Sequence, residues 1–172
     1  MRTSVRVGME LTSTQKGGLA ELAIAAAAAK LGIVVSRPML EGRRYDVIFD
    51  TGHRLLRVQC KSATRKGDVV VIRIRTSRHT PNGYVRGTYS ADEVDGIAAY
   101  CADLERCFYV PIRDVDGQGF LHLRLAPARN CQVLGVKMAA DYPLGAVAQL
   151  GERRHGMPEV RGSIPLSSIP RP

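Results

Sequence analysis

In the stretch RYDVIFDTGHRLLRVQCKSA, residues 44–63, two short apolar runs flank one turn, with Asp46 on the first and Gln59 and Lys61 on the second. Alternate residues of a strand share a face, so Gln59 and Lys61 point together while Val58 and Cys60 enter the other layer. An ammonium beside an amide is a poor core but a good reactive edge. Set Asp46 against that pair, let Glu21 approach from the preceding helix, and the oxygen donors Glu21, Asp46 and Gln59 suit Mg²⁺ (or Mn²⁺), which keeps several waters and accepts a phosphate oxygen. The ion would acidify a bound water and neutralise the attacked phosphate, while Lys61, kept protonated by the surrounding anions, would hold the nucleophile or the developing charge. The chemistry predicted is phosphodiester hydrolysis with no covalent enzyme intermediate.

These four residues need a helix and a hairpin to position them. STQKGGLAELAIAAAAAKLG predicts the helix, with Ser13 or Thr14 as N-cap, Gly32 as the stop, and Leu19, Leu22, Ala23, Ala26 and Lys30 along one stripe. IVVSR reads as a short strand, YDVIFD as the next, and Asp50-Thr51-Gly52 as the turn before RLLRVQCKS returns. Asp50 shares the face of Asp46 and is a rival ligand, but its place before Thr51-Gly52 favours a turn-stabilising role. DVVVIRIRT, with Arg73 and Arg75 on one face, pairs onward; residues 77–95 read as a long polar loop centred on Pro81, Asn82 and Gly83. GIAAYCA, CFYVPI and FLHLRLA are the remaining strands.

The chain has 172 residues, enough for one domain and a tail, and an excess of 25 Lys and Arg over 16 Asp and Glu that concentrates polyanions at its surface. There is no apolar run of membrane-spanning length, the N-terminal MRTSVRVGMELTSTQKGG has no apolar stretch of signal-peptide length, and there is no long basic amphipathic helix, so a soluble, cytoplasmic protein without a membrane partner is expected. Cys60, Cys101, Cys107 and Cys131 make no metal-ligand spacing with the histidines and read as reduced thiols. Few aromatics are available to stack bases, which argues against an RNA-binding sheet.

The order of helix Glu, strand Asp, then (Asp/Glu/Gln)-x-Lys resembles the PD-(D/E)XK nuclease superfamily. Lys16-Gly17 with Glu21, Arg44-Tyr45-Asp46, and Val58-Gln59 with Lys61 resemble more closely its branch of homing endonucleases associated with group I introns. The likeness continues through RGTYSADEVDGIAAYC, FYVPIRDV and AADY. It implies an α/β (α+β) fold with a mixed, largely antiparallel central sheet flanked by helices, a restriction-endonuclease-like core. It also implies a homodimer or homotetramer cutting a long, pseudo-palindromic site in double-stranded DNA. Gln59 stands where most of the superfamily carries an acid, which puts more weight on Glu21 and Asp46. Lys16, Arg44, Arg73, Arg75, Arg78 and Arg86 are the candidate DNA contacts. A Holliday-junction resolvase-like nuclease and a catalytically inactive DNA-binding module are the alternative readings.

The nuclease domain is expected over 1–142 and a Pro- and Arg-rich tail over 143–172. GAVAQLGERRHGMPEVRGSIPLSS resembles a translated transfer-RNA gene, with AQLGER matching the D arm and GSIP the T arm. That segment is expected to be poorly ordered and dispensable for cleavage. The tail holds four Arg and two acids, so +7 of the net +9 charge belongs to the rest.

Overall fold

The computed structural model describes residues 10–148, except 41, 82, 116, 118 and 128–133, and omits the side chains of 76–80 and 84–86. Helix α1 spans Ser13–Lys30. Its N-cap is Thr12, not Ser13 or Thr14: Thr12 Oγ1 accepts from Gln15 N at 3.3 Å and Gln15 Oε1 accepts from Thr12 N at 2.9 Å. Only Thr12 has a Gln or Glu three residues on; Lys16 and Gly17 follow the other two at that spacing and cannot close the reciprocal pair. Thr12→Ala is expected to lower stability by about 1 kcal/mol, read as a fall in denaturation midpoint with the m-value unchanged. At the other end Gly32 takes φ +77° and Ile33 N donates to Ala28 O at 3.1 Å, the left-handed stop expected there.

The buried stripe of α1 is Ala20, Ile24 and Ala28, whereas Leu19 and Leu22 are 41% and 68% exposed. The stripe drawn from the sequence is therefore rotated. Alanines run almost all round this helix, so hydrophobic periodicity hardly distinguishes its faces. The face chosen is the one whose small residues at i and i+8 bring the backbone close to the sheet around a single Ile.

The strands are β1 (Val34–Ser36), β2 (Val47–Asp50), β3 (Leu55–Lys66), β4 (Val69–Arg73), β5 (Thr76–Thr80), β6 (Gly83–Gly87), β7 (Gly96–Cys101), β8 (Arg106–Pro111), β9 (Phe120–Arg124) and β10 (Lys137–Met138). The main sheet runs β1-β2-β3-β4-β9-β10, with β7 on β3 and β8 on β7. Among the described residues only β3–β7 and β9–β10 pair in parallel, so the sheet is mixed and largely antiparallel. The expected helices on its flanks reduce to α1 among the described residues, apart from short helical turns. The turn between β2 and β3 is as expected, with Gly52 N donating to Asp50 Oδ1 at 2.8 Å.

Residues 77–95 are not one loop, because β5 and β6 form a separate two-stranded hairpin there. The sequences of both strands are polar and lack the apolar alternation that marks a half-buried strand, and only the turn at Pro81 and Gly83 was visible.

Two apolar clusters straddle the sheet. Ala20, Ile24 and Ala28 pack on Phe49, Leu56, Val58 and Cys60; Ala63, Ile72, Ile97, Phe108 and Leu123 form the other cluster. Leu144 and Val147 are buried in the first cluster, beyond the boundary expected at 142, and the remainder of the tail lies outside the described residues. Among the described residues no helix is long and apolar enough to cross a membrane.

Candidate active site

Strand β3 is long enough to be shared. β2 pairs with residues 55–58 and β4 with residues 63–66, while β7 runs along 58–63. The Val58 carbonyl and the Cys60 N–H both turn toward Asp46: Asp46 N donates to Val58 O at 3.0 Å, and Asp46 Oδ2 accepts from Cys60 N at 2.8 Å. Arg65 N, of opposite parity, turns to Asp103 Oδ2 at 3.1 Å, beyond the end of β7. Hence β2 and β4 share one edge of β3 and part company across residues 59–62. A buried N–H without a partner is costly, and the Asp46 carboxylate supplies the bond that the ladder lacks at Cys60.

Gln59 and Lys61 lie on the face away from α1, as strand alternation requires, with Val58 and Cys60 beneath the helix. Gln59, 8% exposed, is the one buried polar side chain among the described residues, and its Nε2 donates to Asp46 Oδ2. In this arrangement Gln59 holds the carboxylate; it can offer Oε1 to a cation only by turning its amide over. Oδ2 takes both hydrogen bonds, and no donor among the described residues reaches Oδ1.

Burial raises the Asp46 pKa, against the opposing pull of the Cys60 N–H, Lys61, Arg37 and the Gln59 amide. Burial likewise lowers the Lys61 pKa, with Asp46 opposing and Arg44 and Arg73 adding to the fall. Burial and the Asp46 charge push the Cys60 thiol far up, so it is a neutral packing group, neither nucleophile nor thiolate ligand.

Glu21 stands on α1 one residue past the buried Ala20, where its Oε2 pairs with Arg37 at 2.6 Å. The structure joins Glu21 to Asp46 through Arg37, which ion-pairs with the first and acts electrostatically on the second. Arg37, Pro38, Leu40, Gly42, Arg43, Tyr45 and Asp46 line a cleft of about 180 Å³. Glu21, Gln59 and Lys61 do not line it: Gln59 bonds Asp46 directly, Lys61 acts on it electrostatically, and Glu21 is linked to it through Arg37.

Among the described residues no three acids, cysteines or histidines cluster as a closed metal cage. The donors nonetheless fit a hard ion that keeps its waters, which needs only one or two carboxylates. Asp46 has an uncommitted oxygen, and Glu21 is held by a solvent-exposed guanidinium that can exchange partners.

The candidate DNA contacts fall in different places. Lys16, Arg73 and Arg75 are exposed, the first in the opening turn of α1 and the others at and beyond the end of β4. Arg78 lies in β5 and Arg86 in β6, with side chains outside the described set. Arg44 is committed within the protein: Nε to Glu93 Oε1 at 2.8 Å, Nη2 to Thr88 O at 3.2 Å, and Cζ 5.0 Å from the Tyr89 ring centroid. Sequence reasoning missed Arg37 and Tyr89. Arg37 carries no periodic signal, but Tyr89 is one of two aromatics, with Tyr84, in the polar stretch 77–95 of a chain with only 5% aromatics, and that was readable.

Two likenesses bear on this geometry. The PD-(D/E)XK endonuclease family model matches residues 11–145, which takes in Glu21, Asp46, Gln59 and Lys61. The fold is similar to that of a bacterial homing endonuclease, I-Ssp6803I, with a TM-score of 0.67 and 26% identity over 86% of this chain and all of that one. Comparison with curated proteins gives no match. With an acid at the parting of two strands, a Gln-x-Lys on the strand they share, and a family match over most of its length, the chain belongs to the PD-(D/E)XK endonuclease family.

Proposed function

We propose that the protein is a site-specific homing endonuclease that hydrolyses phosphodiester bonds in both strands of duplex DNA with a divalent metal ion, Mg²⁺ or Mn²⁺, acting as a homodimer or homotetramer. The observation that carries the reading is the Asp46 carboxylate at the break in the β3 ladder, hydrogen-bonded to Gln59 and coupled electrostatically to Lys61. Asp46 and Glu21, with Gln59 after its amide turns, are the groups to hold the ion. When bound, the ion supplies a more acidic water and an electrophilic clamp on the phosphate.

Lys61 sets its ammonium against the phosphate under attack, where added negative charge is stabilised at a fixed, half-buried cation without solvent reorganisation. Gln59 and the Cys60 N–H keep the Asp46 carboxylate from swinging out of line. Water adds to phosphorus, the bond to the leaving sugar oxygen breaks, and that oxygen takes up a proton. Arg37 and Arg43 share a cleft with Asp46, and Arg44 and Arg73 act on Lys61, a cationic setting that draws in a phosphodiester backbone.

Lys16, Arg73, Arg75, Arg78 and Arg86 are proposed to contact DNA. Arg73→Ala and Arg75→Ala should each flatten the plot of log K against log[salt] by about one unit while leaving the melting temperature in place. Arg44→Ala should instead lower the melting temperature, since its donors are spent on Glu93 and Thr88. Titrating binding at several salt concentrations alongside thermal melts separates the two groups.

Substrate form tests the reading as a whole. Linear duplex from the element-free version of the gene's own locus should be cut at one position on both strands, and sizing of the complex on that duplex should give two or four chains. Preferential cutting of four-way junctions, irrespective of sequence, would assign the protein to junction resolution instead.

A further inference from the structure

The face of β3 that carries Lys61 is covered by the link between β6 and β7, residues 88–95. In that link Tyr89 presents its ring to two cations at once: Lys61 Nζ is 5.3 Å and Arg44 Cζ 5.0 Å from its centroid. A lysine side chain has about four rotatable bonds, and nothing in the backbone of a strand fixes where its ammonium ends. Burial alone would drive it outward to water.

The link itself is held from two sides. Arg44 grips Glu93 through Nε and Nη2, at 2.8 and 3.2 Å, and Glu93 Oε2 accepts from Ser90 N at 3.2 Å. From β3, Arg57 donates to the carbonyls of Ala91 and Asp92 and to Asp95 Oδ2. Tyr89 therefore sits on a pinned segment, and an aromatic face within 6 Å of an ammonium attracts it electrostatically.

We propose that Tyr89 is the positioning residue of Lys61: its ring, set by the Arg44–Glu93 clamp, holds the ammonium inward beside Asp46 where the phosphate is attacked. Tyr89 touches no reacting atom and acts through Lys61 alone. This assignment rests on the role given to Lys61 above, and it converts Arg44 from a DNA contact into part of the same device.

The test compares the parent with Tyr89→Phe and Tyr89→Leu on one duplex, measuring DNA affinity in Ca²⁺ and single-turnover cleavage in Mg²⁺. Tyr89→Phe keeps the ring and should cleave within about twofold of the parent; Tyr89→Leu should bind DNA equally well but cleave about 10- to 100-fold more slowly, the cost of a misplaced group. A second readout needs no cleavage. In protein labelled with ¹³C-lysine, the ε-methylene protons of Lys61, assigned by their absence in Lys61→Ala, should lie upfield under the Tyr89 ring current. They should stay there in Tyr89→Phe and return to the ordinary lysine position in Tyr89→Leu. Equal cleavage by parent and Tyr89→Leu, or Lys61 resonances at the ordinary position in the parent, overturns the proposal. If Tyr89→Leu does not fold, the parent's own Lys61 shift decides. A parent that binds DNA and never cuts it would remove the nuclease reading, and the Lys61 shift would still report whether Tyr89 holds the ammonium.

Discussion

Lys61→Met is expected to lower single-turnover DNA cleavage by at least roughly 10²- to 10³-fold, the loss typical of removing one fixed donor from a transition state, while the denaturation midpoint holds or rises. The two effects have opposite signs because they have different causes. Burial lowers the Lys61 pKa despite the attraction of Asp46. A base with a depressed folded pKa gives stability that is present above its unfolded pKa and is lost as pH falls through the folded value. At neutral pH a charged lysine is thus a cost to the fold, one that the proposed role at the phosphate accounts for, and methionine keeps the stem without that cost. Urea titrations of both proteins at neutral pH check the sign. A lower midpoint in the methionine variant would mean that the Asp46–Lys61 attraction outweighs burial.

The second large effect belongs to Asp46, which has two duties that substitution can separate. Asp46→Asn keeps an oxygen for the Cys60 N–H but loses the charge, so cleavage should fall as far as in Lys61→Met with the fold intact. Asp46→Ala should lose cleavage equally and also leave the Cys60 N–H and the Gln59 amide without their acceptor, at about 1–3 kcal/mol of stability. Single-turnover rates and denaturant melts on the pair read the two duties separately. Equal stability of the two variants would show that Asp46 does not serve as the missing rung of the β3 ladder.

The reactive edge was the most legible part of this protein. Period-two alternation put Gln59 and Lys61 on one face and sent Val58 and Cys60 under the helix, which is where they lie. Turn chemistry at Asp50-Thr51-Gly52 joined Asp46's strand to theirs. What local patterns could not reveal was that two strands part across residues 59–62, because that depends on β3 outrunning β2 and being met again by β4. The rotated face of α1 has a similar origin: an alanine-rich helix is oriented by how closely its backbone can approach the sheet, a tertiary preference with little signature in periodicity. Charge was the least legible. Arg44 and Arg73 look alike in sequence, yet one is clamped to Glu93 within the protein and the other is exposed at the end of β4.

The proposed hydrolysis needs the acids and the lysine to act on one phosphate, and Arg37 bears directly on whether they can. Arg37 now pairs with Glu21 through Oε2 and acts on Asp46, so in the proposed mechanism freeing both oxygens of Glu21 for an ion would have the guanidinium change partners. A bound phosphodiester offers it one, which would couple arrival of substrate to release of the second carboxylate.

The most direct measurement is strand breakage itself: the protein at excess over supercoiled plasmid bearing the element-free locus, with Mg²⁺, with Mn²⁺, and with chelator. The arrangement of Asp46, Glu21, Gln59 and Lys61 predicts linear product at one position with either metal and none with chelator. Plasmid bound tightly and specifically yet left intact in both metals, with the same affinity for the Lys61→Met protein, would contradict it.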